Sequence, residues 1–454
     1  MRRIALRPSS TAAVLPSLGQ SGRDQLDDAL RALGEQLDGR RLWHVSSTAT
    51  GGGVAELLST LLPYALGAGI PVSWLVIDVD DAFVGVTKRL HNMLHGVGQG
   101  AGSLEPADRD AYDARLRDEA GQIAAAVTPG DVVVLHDPQT AGLAPVLADR
   151  GARVIWRCHI GADHEDDRMR AAQEFLLPDV QAADLFVFSR PAHRWSALSS
   201  DATAIIPPCV DVASSKNREI DDAEVEETLR AAGLVGAEGA ATMTQDEPIP
   251  PDARLVVQVS RWDRLKDPTG LIDAFTQHGP TDPSVRLCIA GPEAAGVTDD
   301  PEGAEVLAAT RRRWAELPAA QRRRVHLAEL PMADLERNAT MVNALQRRAD
   351  VVVQKSLAEG FGLTVTEAMW KGRPVVSTRV GGIQDQIDDG VSGLLVEDAT
   401  DDAAFGRAID QVLADHDLAR SLGQAARARV CERYLPAHHI AAEADAVARL
   451  ARTA

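Results

Sequence analysis

The chain has 454 residues, of which 45% are hydrophobic, and this is enough apolar material for two compact domains. It carries 47 lysines and arginines against 66 aspartates and glutamates, so its formal net charge is −19 at pH 7. Such an acidic balance repels a phosphate backbone and argues against nucleic acid as a partner. A phosphorylated ligand would have to be held by a few placed cations and backbone N–H groups.

The four cysteines are scattered along the chain and form no CxxC pair, so they are interpreted as buried thiols of a reducing compartment. The opening stretch MRRIALRPSS lacks the apolar core of a signal peptide. No stretch approaches the length of a membrane span. We therefore expect a cytoplasmic protein with no membrane partner.

Short β-branched runs alternate with helical stretches rich in alanine, leucine and arginine. Strands separated by helices indicate parallel sheets with helices on both faces. Two sets of six such runs predict an α/β fold of two doubly wound, Rossmann-like domains in tandem, whose facing strand ends would form a central cleft. The predicted strands are residues 42–47, 72–79, 131–137, 153–159, 184–189 and 204–208, followed by 254–260, 285–291, 324–330, 350–356, 373–379 and 392–397.

Two adjacent prolines, Pro207 and Pro208, indicate a hinge between the sets, because neither a helix nor a strand continues through them. We place the first domain at residues 1–208 and the second at 209–435. The polar segment 236–252 is predicted as a surface loop. An amphipathic helix is predicted at 441–452, with no strand after it.

The stretch HVSSTATGGGVAELLSTLLP (44–63) is typical of a strand, a glycine loop and a helix. Gly51, Gly52 and Gly53 would let the backbone approach a ligand, and the helix offers free N–H groups. A tight strand-to-helix turn explains the same glycines equally well. The spacing is neither GxGxxG nor GxxxxGK[ST], so it does not support a dinucleotide or Walker-type site.

The stretch VSRWDRLKDP (259–268) follows the first strand of the second set. A turn between Arg261 and Lys266 could bring both cations to one diphosphate. Taken alone, the pattern is explained better by a solvated helix start in which Asp263 and Asp267 neutralise the cations.

The stretch AEGFGLTVTEAMWKGRPVV (358–376) places Glu359 before a glycine loop and Glu367 inside the helix that follows. Thr364 and Glu367 fit a capping box, which is a structural explanation for the second glutamate. Capping does not explain Glu359, for which a surface carboxylate is the alternative. As functional residues, both carboxylates would accept sugar hydroxyls, and the helix N-terminus between them would face a diphosphate.

His159 stands at a predicted strand end, where functional residues lie in this architecture. A packed or surface histidine is the ordinary alternative. The cluster of His159 with Asp163, His164 and Glu165 lacks a recognised metal-ligand spacing, so we discount it. Asp78 and Asp80 form an Asp-x-Asp in a charged turn and are discounted as well. No metal site is predicted.

These residues together resemble a known family. EGFGLTVTE (359–367) matches the E-x7-E signature of the retaining GT-B glycosyltransferases of family GT4, which use nucleotide-activated sugars. The glycine loop, the Arg261/Lys266 pair and IPPCVD (206–211) occur in the expected order, so the resemblance covers nearly the whole chain. Five stretches resemble more narrowly the glycosyltransferring trehalose synthases of that family: STATGGGVAELL, VTKRLHNMLHG, HDPQTAGL, WRCHI and EGFGLTVTEAMWKGRPVV.

The resemblance implies a GT-B fold in which the helix at 436–454 crosses back onto the first domain. It implies donor binding by Arg261 and Lys266 at the diphosphate, by Glu367 at the ribose and by Glu359 at the 3- and 4-hydroxyls of glucose. His159 would lie near the donor C6 hydroxyl and the reacting centre, so His159, Arg261, Lys266 and Glu359 form the implied catalytic set. Further donor contacts are implied at Gly52, Gly53, Gly362, Leu363 and Thr364, and acceptor contacts at Lys88, His91, Asn92 and Asp137.

The implied reaction transfers glucose from UDP- or ADP-glucose to free glucose and forms α,α-trehalose, in a homodimer. No cofactor is required, and Mg²⁺ is at most stimulatory. Gly161 departs from the family pattern, because we expect an acidic residue directly after WRCHI. The alternatives are a trehalose phosphorylase, a transferase of the same family with another acceptor, and a non-catalytic nucleotide-sugar sensor. A nucleotide-sugar epimerase would share the architecture without the paired glutamates.

Overall fold

The computed structural model describes residues 1–50, 52–96, 104–236, 239–293 and 301–452. The chain divides into two compact units. The first comprises Met1–Cys209 and Tyr434–Ala454, and the second comprises Val210–Arg433. Each unit is built on a seven-stranded sheet with flanking helices.

The sheet of the first unit has the strand order β1-β3-β2-β4-β5-β6-β7. All of its pairs are parallel except that of β1 with β3. The strands are β1 (Arg2–Arg3), β2 (Leu42–Ser46), β3 (Val72–Val76), β4 (Val132–His136), β5 (Arg153–Cys158), β6 (Leu185–Phe188) and β7 (Thr203–Ile205), and the helices are α1 (Leu15–Leu37), α2 (Gly53–Gly67), α3 (Asp81–Leu94), α4 (Pro106–Ala126), α5 (Ala144–Asp149) and α6 (Asp167–Val180).

The sheet of the second unit has the order β14-β13-β12-β9-β10-β11-β8, and only the edge pair of β8 with β11 is antiparallel among its described pairs. Its strands are β8 (Thr242–Thr244), β9 (Arg254–Val259), β10 (Val285–Pro292), β11 (Val325–Leu330), β12 (Val351–Gln354), β13 (Val375–Thr378) and β14 (Leu394–Val396). Its helices are α7 (Asp222–Ala232), α8 (Pro268–Asp273), α9 (Pro301–Ala315), α10 (Ala319–Arg322), α11 (Leu335–Arg348), α12 (Leu363–Trp370), α13 (Ile383–Gln386), α14 (Asp402–Ala414) and α15 (His416–Arg433).

The last helix, α16 (Pro436–Arg452), packs along α1 of the first unit. Aspartates cap the first turns of several helices. Asp80 accepts a hydrogen bond from the backbone N–H of Phe83 at α3, and Asp166 accepts one from Met169 at α6. The central strands β2, β3 and β4 are buried along their whole length, as parallel strands covered on both faces must be.

The predicted α/β architecture of two doubly wound sheets is confirmed, and each of the twelve predicted strands has a counterpart. The sequence missed the two antiparallel edge strands, β1 and β8. The prediction of a surface loop over 236–252 was wrong at residues 242–244, which pair with β11. Two or three residues carry too little periodicity to be recognised, and their partner strand supplies the hydrogen bonds that define them. None of the described helices combines the length and apolarity needed to cross a membrane.

Candidate active site

The carboxyl ends of β9 and β12 carry the two residues that make the central contact of the second unit. These strands are parallel neighbours, so the turn after β9 and the loop after β12 emerge at the same edge of the sheet. The Lys266 ammonium on the turn forms an ion pair with the Glu359 carboxylate on the loop. Both side chains are about one-seventh exposed, at 15% and 14%, so the pair remains accessible to a ligand.

A buried glutamine holds the two segments together. The Gln258 side chain donates to the carbonyl of Lys266 at 2.9 Å and accepts from the N–H of Lys355 at 3.0 Å. A further backbone bond of 2.8 Å runs from Leu357 N–H to the carbonyl of Leu265. The Lys266–Glu359 contact therefore rests on a rigid backbone frame.

Arg261 and Lys266 lie on the same turn but make different contacts. Arg261 donates to Asp263 at 3.1 Å, and its side chain is 65% exposed. Asp263 also accepts from the N–H of Leu265 at 2.8 Å, which shapes the turn. The carboxylate thus neutralises Arg261, as the structural interpretation proposed, while Lys266 points to Glu359.

Asp267 does not neutralise Lys266, contrary to that same interpretation. Its carboxylate pairs with the buried ammonium of Lys355, which also contacts Asp402 at 2.8 Å. Burial opposes the charge on Lys355, but the hydrogen bonds and charges of the two carboxylates outweigh it and raise the pKa of this lysine. Lys355 therefore acts as a charged structural brace beneath the turn.

Glycines shape the loop that carries Glu359. Gly362 has a φ of +90° and stands immediately before α12, so its left-handed backbone turns the chain into the helix. Gly381, after β13, has a φ of +49°, and a Cβ there would lie 1.6 Å from the carbonyl oxygen of Glu359. Gly382 N–H donates to the carbonyl of Gly360 at 3.1 Å. The loops after β12 and β13 are thus in direct backbone contact.

The helix after this loop begins at Leu363, so the N–H groups of Leu363 and Thr364 belong to its first turn. The capping-box interpretation of Thr364 and Glu367 is wrong, because Gly362 occupies the N-cap position. The Thr364 hydroxyl instead donates to the side chain of Gln354 at 3.3 Å.

Glu367 is 1% exposed and forms an ion pair of 2.6 Å with Lys216. Beside it, the buried ammonium of Lys371 donates to Asn217 at 2.9 Å and to Gln346 at 2.8 Å. Burial lowers the pKa of Lys371 to about 7, although the charge of Glu367 opposes the shift. Glu367 therefore belongs to a buried polar network.

The glycine loop of the first unit leads into α2. Gly52 precedes the helix with a φ of +148°, and Gly53 is its first residue. Gly51 lies outside the described residues. Lys88, His91 and Asn92 follow the i, i+3, i+4 spacing of one face of α3, where Lys88 is exposed and the other two are half-buried.

His159 and Asp137 are in direct contact at the carboxyl edge of the first sheet. Asp137 follows β4 with a φ of +62°, and its carboxylate accepts from the backbone N–H of His159 at 2.7 Å. Burial raises the pKa of Asp137 to about 7, against the opposing effects of the His159 N–H and the charge on Arg157. Asp137 thus holds the backbone of His159 in place.

Two more histidines continue from His159 into the sheet, and sequence reasoning missed both. His159 Nε2 lies 3.0 Å from His136 Nδ1, and His136 Nε2 lies 3.0 Å from His44 Nδ1. A sequence signal existed, since three strands of the first set carry a histidine in or just after the strand. Lys216, Gln258 and Gly381 were also missed, because each contacts a residue on another loop or helix and no local sequence pattern marks the contact.

The departure at Gly161 has a steric explanation. A Cβ at this position would lie 2.3 Å from the ring of His193, which is buried. The acidic residue that we expected there cannot fit beside this imidazole. His193 therefore fills the space that a side chain at position 161 would otherwise take.

The discounted metal patterns have structural partners. Asp80 caps α3, and Asp163 forms an ion pair with Arg190. Over the described ranges, no group of three or more histidine, cysteine, aspartate or glutamate residues is arranged to hold a metal ion.

Comparison with known proteins adds family information to this geometry. A family model described as "Trehalose synthase, N-terminal domain" matches residues 44–194, and one described as "Glycosyl transferases group 1" matches residues 240–429. The trehalose synthase of Thermococcus litoralis is 34% identical over 421 residues, which cover 92% of this chain and 92% of that protein. A trehalose phosphorylase of Pleurotus pulmonarius is 28% identical, and the match covers 85% of this chain but 54% of the phosphorylase.

Among solved structures, the chain is similar to an α,α-trehalose-phosphate synthase (UDP-forming) from Burkholderia vietnamiensis. The TM-score is 0.68 at 16% sequence identity, and the match covers 90% of this chain and 98% of that one. At this identity the likeness concerns the fold, and it confirms the GT-B architecture.

The contact between Gly381 and Glu359 can be tested with a matched pair of variants. Gly381→Ala and Gly390→Ala both place a side chain at a positive φ, but at Gly390 (φ +75°) a Cβ meets nothing within 4 Å. We expect Gly390→Ala to cost roughly 1–2 kcal/mol from backbone strain alone. Gly381→Ala should cost more and should speed amide exchange over residues 357–363. Equal stability losses in urea titrations would contradict the contact.

A second prediction concerns the buried His44. Burial and the charge of Arg157 lower its pKa to about 3, against an ordinary value of 6.5. Between these values the unfolded chain binds a proton that the folded chain does not, so His44 makes stability fall as the pH falls, by about 1.4 kcal/mol per unit. The stability advantage of wild type over His44→Phe should therefore shrink by about 2 kcal/mol from pH 7 to pH 5.

Urea titrations at the two pH values measure this difference. Val45→Ala, at the next residue of β2, removes buried packing without a titrating group and serves as the control. A wild-type-minus-variant difference that stays constant for His44→Phe would show that His44 is not held neutral.

Proposed function

The chain belongs to the trehalose synthase family of glycosyltransferases, and on that premise we propose that it is a retaining glucosyltransferase. The proposed reaction moves glucose from UDP-glucose or ADP-glucose to free glucose and forms α,α-trehalose. Its support comes from the family and from the arrangement of charged groups at the strand ends of the second unit.

The observation that carries the proposal is the ion pair of Lys266 with Glu359 beside the N-terminus of α12. A nucleotide sugar presents hydroxyls and a diphosphate within a few bonds of each other. A carboxylate accepts two hydroxyl hydrogen bonds at once, and an ammonium binds phosphate oxygens. The pair therefore matches both halves of the donor.

The donor would lie along the loop between β12 and α12. Glu359 would accept the 3- and 4-hydroxyls of glucose, and Lys266 with Arg261 would bind the diphosphate. The N–H groups of Leu363 and Thr364 and the positive end of α12 would face the phosphate oxygens.

Glu367 would bind the ribose, for which its carboxylate would have to exchange part of its contact with Lys216 for ribose hydroxyls. Because Lys216 is partly exposed, with 23% of its side-chain surface accessible, it can move without unfolding α12.

Transfer of the glucosyl group requires mainly that the leaving diphosphate be stabilised. As the glycosyl–phosphate bond breaks, negative charge grows on the diphosphate, and the cations with the helix N-terminus stabilise it. The acceptor hydroxyl would attack from the face of the leaving group and give its proton to the departing phosphate oxygen. This same-face route retains the configuration and needs no protein nucleophile.

On the first unit, His159 is the residue proposed to contact the donor glucose near its C6 hydroxyl, and Asp137 fixes its backbone. Gly52 and Gly53 would face the phosphates at the start of α2. Lys88, His91 and Asn92 present a polar face of α3 for the acceptor.

A second candidate is trehalose phosphorylase, in which inorganic phosphate takes the place of the nucleotide. Its support is the 28% identity to the Pleurotus enzyme. The chain spans little more than half the length of that enzyme, whereas it spans 92% of the Thermococcus litoralis synthase, so the synthase reaction is preferred.

Donor binding by Lys266 predicts a specific loss of turnover. Lys266→Met should lower kcat roughly 10²- to 10³-fold, the typical effect of losing one group that stabilises developing charge. Arg264→Met is the control, because Arg264 lies on the same turn but is 68% exposed and pairs with Glu302 and Glu305. Its turnover should stay within about twofold of wild type. Near-normal turnover of Lys266→Met, with the fold intact by circular dichroism, would remove Lys266 from the mechanism.

The reaction itself is tested by incubating the protein with UDP-, ADP- or GDP-glucose and free glucose. We expect trehalose from UDP- or ADP-glucose, with both anomeric centres in the α configuration by NMR. In a parallel reaction, trehalose and phosphate replace the donor. Glucose 1-phosphate in that reaction, with no response to any nucleotide sugar, would establish the phosphorylase instead.

A further inference from the structure

Three histidines form a continuous chain of ring contacts across the first sheet. His44, His136 and His159 come from β2, from β4 and from the end of β5, which are neighbouring parallel strands. Both N···N separations are 3.0 Å, and the stacked rings have centroids 5.3 Å apart at each contact. At this distance one nitrogen of each contact must donate and the other must accept.

The histidine chain formed by His44, His136 and His159 has a buried end and an accessible end. At the buried end, His44 Nε2 lies 3.7 Å from Oε1 of Glu443 on α16. His44 and His136 are both 2% exposed, whereas His159 is only half-buried. The histidines therefore connect a buried carboxyl group with the edge of the sheet where the proposed donor contact lies.

The three rings are held neutral. Burial lowers the pKa of each well below the ordinary value of histidine, and the nearby charge of Arg157 lowers it further. Arg157 can only donate, so the His439 Nε2 that it contacts at 2.9 Å must accept. His439 Nδ1 then carries the proton and donates to the carbonyl of Pro207 at 2.8 Å. The fourth histidine is thus neutral as well.

Because the three rings are neutral, the protons of the histidine chain can be arranged in two ways. In one, every Nε2 carries a proton, so His159 donates to His136, His136 donates to His44, and His44 points an N–H at Glu443. In the other, every Nδ1 carries the proton, and the lone pair of His44 faces Glu443. Burial raises the pKa of the Glu443 carboxyl, and the charge of Arg157 opposes that rise. The ionised carboxylate attracts the N–H and repels the lone pair, so the first arrangement is the one that accompanies an ionised Glu443.

We propose that His44 and His136 are positioning residues that hold His159 in its Nε2–H tautomer. Nδ1 of His159 then presents a lone pair, which accepts a hydrogen bond from a hydroxyl of the bound sugar. This proposal rests on the proposed function, in which His159 contacts the donor glucose. Glu443 sets which ring donates and which accepts in each contact of the histidine chain. No covalent bond is made or broken along it.

The tautomers can be observed directly. Protein labelled with ¹⁵N-histidine gives two-bond ¹H–¹⁵N spectra in which a protonated ring nitrogen and a lone-pair nitrogen have different shifts. We expect a single Nε2–H form for His44, His136 and His159 at pH 7. His136→Phe should leave His159 as a mixture of tautomers, because its Nε2 loses the acceptor. Glu443→Gln, whose amide can donate or accept, should weaken the Nε2–H preference of His44 and covers the case in which His136→Phe does not fold.

The functional consequence is measured with the trehalose assay. His136→Phe should lower kcat roughly 10- to 100-fold, the usual cost of losing a group that orients a contacting residue. His326→Phe is the control, since this buried histidine lies on β11 of the second unit.

The outcomes separate the two proposals. An Nδ1–H form in wild type, or His159 shifts unchanged in folded His136→Phe, overturns the histidine proposal. The same holds for a loss of kcat without a tautomer change, because that result indicates a structural role. If wild type forms no trehalose from any donor while the tautomers behave as expected, the proposed function fails and the chain of hydrogen bonds stands.

Discussion

Parallel pairing of neighbouring strands is the constraint on which both sites depend. In the second unit, β9, β12 and β13 run side by side, so the segments after them emerge together and place Lys266, Glu359 and Gly381 in one cluster. In the first unit, β2, β4 and β5 do the same for three histidines. Residues more than ninety positions apart, such as Lys266 and Glu359 or His44 and His136, thereby come within hydrogen-bond distance. In each unit, the side chains of the candidate site meet because their strands end at the same edge of one sheet.

In the second unit, the charged side chains of the candidate site occur mainly as ion pairs. Three lysines of the second-unit site each contact a carboxylate: Lys266 contacts Glu359, Lys216 contacts Glu367, and Lys355 contacts Asp267 and Asp402. Removing one partner of such a pair leaves a charge in a poorly solvated place. The carboxylate partners therefore hold Lys266, Lys216 and Lys355 in fixed positions.

In the first unit, the histidines at the sheet edge are neutral, in contrast to the ion pairs of the second unit. Its strand edge is lined by imidazoles that burial and Arg157 keep neutral, with one carboxyl group at the far end. Neutral rings transmit a preference for donating or accepting hydrogen bonds, and they add no charge to this edge of the sheet. The first unit is packed closely around Gly161, since any side chain at position 161 would clash with the ring of His193.

The sequence by itself determined the α/β class, the twelve main strands and the candidate residues Lys266, Glu359 and His159, because strand periodicity and loop glycines are local signals. It did not determine which groups touch. The capping box at Glu367 failed because Gly362, and not Thr364, precedes the helix. The partners Lys216, Gln258, His44 and His136, and the edge strand β8, were decided only by the tertiary structure. Contacts of this kind depend on strand order and register, and no short stretch of sequence encodes either of them.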